Sequence, residues 1–107
     1  MTINARNKGN AYERKIVNEL KELGYKNAVT SRSESKRADD AGVDILGVDG
    51  YAIQCKAVER GLSLHNTIDH IDTKYGIPVV FWKKNRKEEL VIMKKKDFYG
   101  LIKHKTR

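Results

Sequence analysis

The stretch that most limits what this chain can fold into is residues 43–57, VDILGVDGYAIQCKA. Two short apolar runs flank Asp49-Gly50, a tight-turn dipeptide, so the segment predicts a β-hairpin. Side chains alternate between the faces of a strand, and loop length therefore decides which polar groups gather on one side. A two-residue turn pairs Val48 with Tyr51 and sets Asp44 opposite Cys55, away from Gln54 and Lys56. A three-residue loop, Val48-Asp49-Gly50 with Gly50 left-handed, pairs Gly47 with Tyr51 and Asp44 with Gln54. One face then carries Val43, Ile45, Ile53, Cys55 and Ala57, and the other Asp44, Leu46, Ala52, Gln54 and Lys56. This register sorts apolar from polar almost cleanly and is the expected one.

A carboxylate facing an amide and an ammonium, on strands braced by a core, outlines a site for a divalent metal and a phosphate. Oxygen ligands suit a hard cation such as Mg2+, and a fixed lysine can stabilise a developing oxyanion. The same residues also describe an ordinary hairpin with a solvated polar face.

At 107 residues the chain predicts a single domain with one core. Lys and Arg number 22 against 14 Asp and Glu, a net charge of +8, which is a footprint for polyanions. The basic residues are spread over tails, loops and strand ends rather than along one amphipathic helix, so DNA is expected ahead of a membrane. No stretch is long and apolar enough for a bilayer or a signal peptide, and a cytoplasmic protein is expected. Cys55 is the single cysteine, which excludes an internal disulfide and a cysteine-rich zinc site and suits a small core residue. His65, His70 and His104 form no zinc motif, and the chain has no Walker-type phosphate loop and no nucleophilic triad.

Residues 1–8 have nothing to bury and read as a flexible basic arm. From Asn10 onward Tyr12, Ile16, Leu20 and Leu23 recur at helical spacing, with Val17 widening the stripe and Gly24 closing the helix. Glu13 lies at the border of that stripe. With Asn10 as N-cap it completes a capping box; it also suits an acid facing a metal site, and the two roles are compatible. Residues 26–32 read as a strand and residues 33–40 as a polar flexible loop, either solvated or ordering on a phosphate backbone through Arg32, Ser33, Lys36 and Arg37.

After the hairpin, Ser63 can serve as N-cap of a helix carrying Leu64, Ile68, Ile71 and Tyr75 and closed by Gly76, with Asp69 and Asp72 facing solvent. Pro78 introduces a strand at 79–82, residues 84–87 make a basic turn, and 90–93 return as a strand. Asp97 can cap a short helix with Phe98, Leu101 and Ile102 on one face, before a basic tail at 103–107. The order α-β-β-β-α-β-β-α predicts an α/β (α+β) fold, a mixed sheet flanked by helices.

Glu13 in GNAYER, the Ser31-Arg32-Ser33 segment, Val43-Asp44-Ile45 and Gln54-Cys55-Lys56 occur in an order that resembles the PD-(D/E)xK nuclease superfamily of restriction-endonuclease-like fold. More narrowly, residues 9–83 resemble the archaeal-type Holliday junction resolvases, some of which phages carry. The resemblance implies a homodimer in the cytoplasm, or the host cytoplasm for a phage protein. Such a dimer nicks four-way DNA junctions in recombination and repair, using Mg2+, with Mn2+ as a substitute, and leaves 5′-phosphates. It implies catalytic roles for Glu13, Asp44, Gln54, Lys56 and Ser33, metal ligation by Asp44, Gln54, the Cys55 carbonyl and Glu13, and DNA contacts from Arg14, Arg32, Lys36, Arg37, Lys84 and Arg86. Two positions depart from the pattern. Val43 stands where the motif has proline, which sets only the approach to the strand. Gln54 stands for an acid and removes a formal negative charge from the metal site.

That departure keeps two other functions in view: a nicking or single-strand-processing nuclease on the same scaffold, and a non-catalytic DNA-binding module. Phe81, Trp82, Phe98 and Tyr99 are candidates for a dimer surface, with core packing as the ordinary role of such residues.

Overall fold

Tyr12, Ile16, Val17 and Leu20 place one continuous apolar stripe on the first helix, and that stripe decides where the helix lies. In the computed structural model, which describes residues 2–103, it packs on one face of a five-stranded sheet together with Ala28, Ile45, Val48, Ile53, Cys55 and Val79. The elements are α1 (Thr2–Glu22), β1 (Val29–Thr30), α2 (Ser31–Glu34), α3 (Lys36–Asp40), β2 (Ile45–Leu46), β3 (Tyr51–Ala57), α4 (Leu64–His70), β4 (Ile77–Lys83), β5 (Leu90–Ile92) and α5 (Lys95–Ile102). A 3-10 turn at Thr73–Tyr75 links α4 to β4. The opposite face of the sheet is covered by α3 and α4 through Ala38, Val43, Ile68 and Ile71, which pack on Ala52 and Val80.

The strands run in the order β1-β2-β3-β4-β5. Only β3 and β4 pair in parallel, because α4 carries the chain back between them; the other neighbours are antiparallel. The fold is therefore the expected mixed sheet flanked by helices. Where the hairpin pairs, its register is as expected, with Ile45 opposite Ile53; Asp44 lies just before β2, its N–H donating to the Ile53 carbonyl at 2.7 Å. Gly50 takes φ 88° at the end of the turn, the left-handed conformation expected of it.

Several local expectations are corrected. Residues 2–8 are helical rather than a loose arm, because they contain no proline or glycine and Gly9 costs only about 1 kcal/mol within a helix. Lys8 pairs with Glu59 at 3.0 Å. Asn10 consequently lies inside α1, and Glu13 makes no capping box. At the other end Gly24 closes the helix as expected, with φ 110° and the Tyr25 N–H donating to the Leu20 carbonyl at 3.0 Å. Leu23 falls beyond the last turn and is exposed rather than in the stripe.

The strand expected at 26–32 shrinks to Val29–Thr30, and the expected flexible loop at 33–40 folds into α2 and α3. Its overlooked anchor is Ala38, 1% exposed, and the Ser35 hydroxyl caps α3 by accepting the Ala38 N–H at 3.2 Å. Val43 packs in the α3–α4 cluster instead of with Ile45, because β2 begins only at Ile45 and strand alternation does not reach back to it. The face carrying Ala52 and Gln54 is covered, not solvated: they are 0% and 7% exposed.

Helix α4 stops at His70, so Tyr75 belongs to the 3-10 turn, and Ser63 precedes α4 without a side-chain capping bond. Asp72 accepts the Lys74 N–H, and Asp69 pairs with Lys94. Lys94, not Asp97, occupies the cap position of α5, none of whose residues is buried. Met1 and residues 104–107 of the expected basic tail lie outside the described residues.

Candidate active site

The predicted residues gather where β2 parts from β3. The ladder between these strands stops at Ile45, so the Cys55 N–H, which faces β2, has no strand carbonyl opposite it. Asp44 supplies the acceptor: its Oδ2 takes the Cys55 N–H at 2.8 Å, while its own N–H donates to the Ile53 carbonyl at 2.7 Å. The N–H and C=O of one strand residue point to the same side, so the Cys55 carbonyl also faces this gap. Gln54 and Lys56 project from the opposite face of β3 to Cys55, in cross-strand rows with Val80 and Trp82 of β4.

Glu13 approaches from α1 and is 9% exposed. Arg32 of α2 answers it, Nε donating to Oε1 at 3.0 Å. Burial pushes the Glu13 carboxyl above its ordinary range; the Arg32 bond and charge oppose this, and Asp39 adds to it. Burial likewise raises Asp44, to about 6, with the Cys55 N–H and Lys56 pulling down and Glu13 and Asp39 pushing up. Carboxylates of Glu13, Asp39 and Asp44 thus feel one another across one small region. The Cys55 thiol is held far above its usual value by burial and by the Asp44 and Glu13 charges, so it is an unreactive core group.

The Gln54 Oε1 atom bears on metal binding. It is buried and accepts no hydrogen bond among the described residues, a state that costs about 1–3 kcal/mol. A hard cation would supply what it lacks; one Asp44 oxygen and the Cys55 carbonyl are the neighbouring oxygen donors that could join it, and Mg2+ held by so few protein ligands retains several waters. These residues fit the metal. Glu13, committed to Arg32, fits as a ligand less well than expected, and among the described residues no group of three or more His, Cys, Asp or Glu is arranged to hold an ion.

Other predicted residues are placed differently. Ser33 is exposed, and its hydroxyl turns back to the Thr30 carbonyl at 2.9 Å rather than toward Asp44. The serine packed beneath the site is Ser31, fully buried, whose N–H donates to the Asp44 carbonyl at 2.8 Å and whose hydroxyl has no partner among the described residues. Arg14 and Arg37 are exposed, and Lys36 is held loosely by Asp40. Lys84 and Arg86 lie at the β4–β5 turn, where Arg86 adopts φ 63°. The sequence reading missed Asp39 and Ser31, because both sit where a loop or strand was expected; the acid-rich ADD triplet was the available signal for Asp39.

No protein-family model, curated protein or solved structure matches this chain.

Proposed function

We propose that the chain is a Mg2+-dependent DNA endonuclease that cuts branched DNA, four-way junctions foremost, with Mn2+ able to replace Mg2+. The observation that carries this reading is the buried Gln54 carboxamide oxygen, which accepts no hydrogen bond among the described residues, next in the chain to Cys55, whose N–H Asp44 accepts, on the strand that also presents Lys56. Asp44 Oδ1, Gln54 Oε1 and the Cys55 carbonyl would hold the cation. When bound, it supplies positive charge beside the phosphodiester and acidifies water there. Lys56 holds an ammonium against the phosphate oxygens and orients the attacking water. Arg32 shields Glu13 and offers its exposed guanidinium to the backbone, while Arg14, Lys36 and Arg37 make contacts that position DNA without reading sequence. Two copies acting together would cut both strands of a junction, joined through the exposed apolar residues of β5 and α5.

One observation favours a non-catalytic DNA-binding module instead: Glu13 is already neutralised by Arg32, leaving Asp44 as the main anionic ligand. The deciding experiment incubates the chain with a labelled four-way junction and a linear duplex, with and without Mg2+. The nuclease reading predicts Mg2+-dependent cutting of the junction. In Asp44→Ala binding should persist while cutting drops about a thousand-fold. No cutting at any Mg2+ or Mn2+ concentration would favour the binder.

A further inference from the structure

Beside the site, the same sheet face carries a feature that the chemistry above does not use. The parallel register pairs Lys56 with Trp82, and the antiparallel register pairs Trp82 with Leu90, so the three form one cross-strand row. Adjacent strands lie about 4.8 Å apart, which makes the indole the immediate neighbour of the lysine. Its Nε1–H donates to the Val58 carbonyl at 3.0 Å, fixing the ring edge-in against the β3 exit. Trp82, Lys84, Lys87, Glu88 and Leu90 line a cavity of about 360 Å3. Ligand pockets run from about 300 to 1,000 Å3, so this one suits a single flat group. The Lys84 ammonium stands over the Trp82 ring, 5.7 Å from its centroid.

From this row we infer that Trp82 is a stacking platform for an unpaired DNA base next to the phosphate held at Lys56. An aromatic face bordered by lysines is what single-stranded nucleic acid requires: the ring takes the base, and Lys84 and Lys87 take the flanking phosphates. When a base stacks, the flexible Lys84 side chain leaves the ring for a phosphate, and the Glu88 carboxylate can accept from an exocyclic amine. A base inside a duplex is already stacked and cannot reach a ring set into a sheet. The favoured substrate therefore carries an unpaired base beside the cut, as a flap, a single strand or an opened branch point does. The placement beside the cut rests on the nuclease reading; the stacking itself does not.

Trp82 is the only tryptophan, so its fluorescence reports the platform directly. The full chain, free of metal, is titrated with a single-stranded thymidine oligonucleotide, a fully paired duplex of equal length and inorganic polyphosphate. The inference predicts saturable quenching by the single strand and none comparable from the other two. Equal quenching by polyphosphate, or single-strand binding with unchanged fluorescence, would overturn it. By anisotropy of a labelled oligonucleotide, Trp82→Ala should bind the single strand about ten-fold more weakly. Trp82→Phe, which keeps a ring, should stay much closer to the parent. Equal losses in the two variants would also contradict the platform. Selective quenching by a protein that never cuts DNA sinks the nuclease reading and leaves this inference standing. Asp44-dependent cutting without selective quenching does the reverse.

Discussion

The two ends of the sheet spend their residues in opposite ways. Around the β2–β3 divergence the chain buries polar groups, with Glu13 at 9%, Gln54 at 7% and Ser31 at 0% exposed. Along β5 and α5 it exposes apolar ones: Val91 is 58%, Tyr99 56%, Leu90 49% and Phe98 47% exposed. Either choice alone opposes folding, since a buried polar atom without a partner costs free energy and an exposed aromatic contributes little. Neither end is explained by the monomer's own packing. On the proposed reading, the first end would take a small charged ligand and the second would meet a partner surface.

That contrast can be broken or sharpened experimentally. Lys56→Ala is expected to lower Mg2+-dependent cutting about a thousand-fold while leaving junction binding within a few-fold; retained cutting in a gel assay would remove Lys56 from the chemistry. Ile16→Ala, in the fully packed α1 stripe, should cost about 2–5 kcal/mol in urea unfolding, as an ordinary core position does. Gln54→Met tests the polar end in the opposite direction. It replaces a donor-less buried amide by an apolar chain of similar shape, and should raise metal-free stability by about 1 kcal/mol while abolishing any stabilisation by Mg2+.

The pH dependence follows from Asp44. Its carboxyl titrates at about 6 in the fold, against about 4 in an unfolded chain. The folded state therefore holds the proton more tightly, and metal-free stability should fall as pH rises between about 4 and about 6, then level off. The raised carboxyl of Glu13 acts in the same direction. The urea midpoint of Asp44→Asn should lack most of this slope. The smallest effect is expected at the apolar end: Tyr99→Ser should change monomer stability by less than about 0.5 kcal/mol but weaken self-association in sedimentation. A large loss of stability there would show that α5 is core after all.

Much of the architecture was legible because it rests on periodicity. The α1 stripe, the hairpin register and the closing glycines Gly24 and Gly50 each follow from local rules that tertiary packing does not override. Residues 31–40 were not legible, because one buried alanine among polar neighbours gives no periodic signal, yet Ala38 and the Ser35 cap suffice to fold the segment on its neighbours. The N-terminal turns of α1 were missed for the converse reason: polar residues without a breaker extend a helix that is already nucleated. At the site, the sharing of a face by Gln54 and Lys56 was readable from parity. The Arg32–Glu13 pair and the loss of Ser33 to its own helix were not, since both depend on how α2 turns.

The central claim is that Asp44 and Gln54 together gather a divalent cation. Titrating the isotope-labelled chain with Mn2+ tests it most directly, through paramagnetic broadening. The account predicts that the Gln54 side-chain amide and the Cys55 backbone N–H broaden first, and that Asp44→Ala abolishes the effect. Broadening confined to exposed acids such as Asp40 and Asp49, with Gln54 and Cys55 untouched, would contradict it.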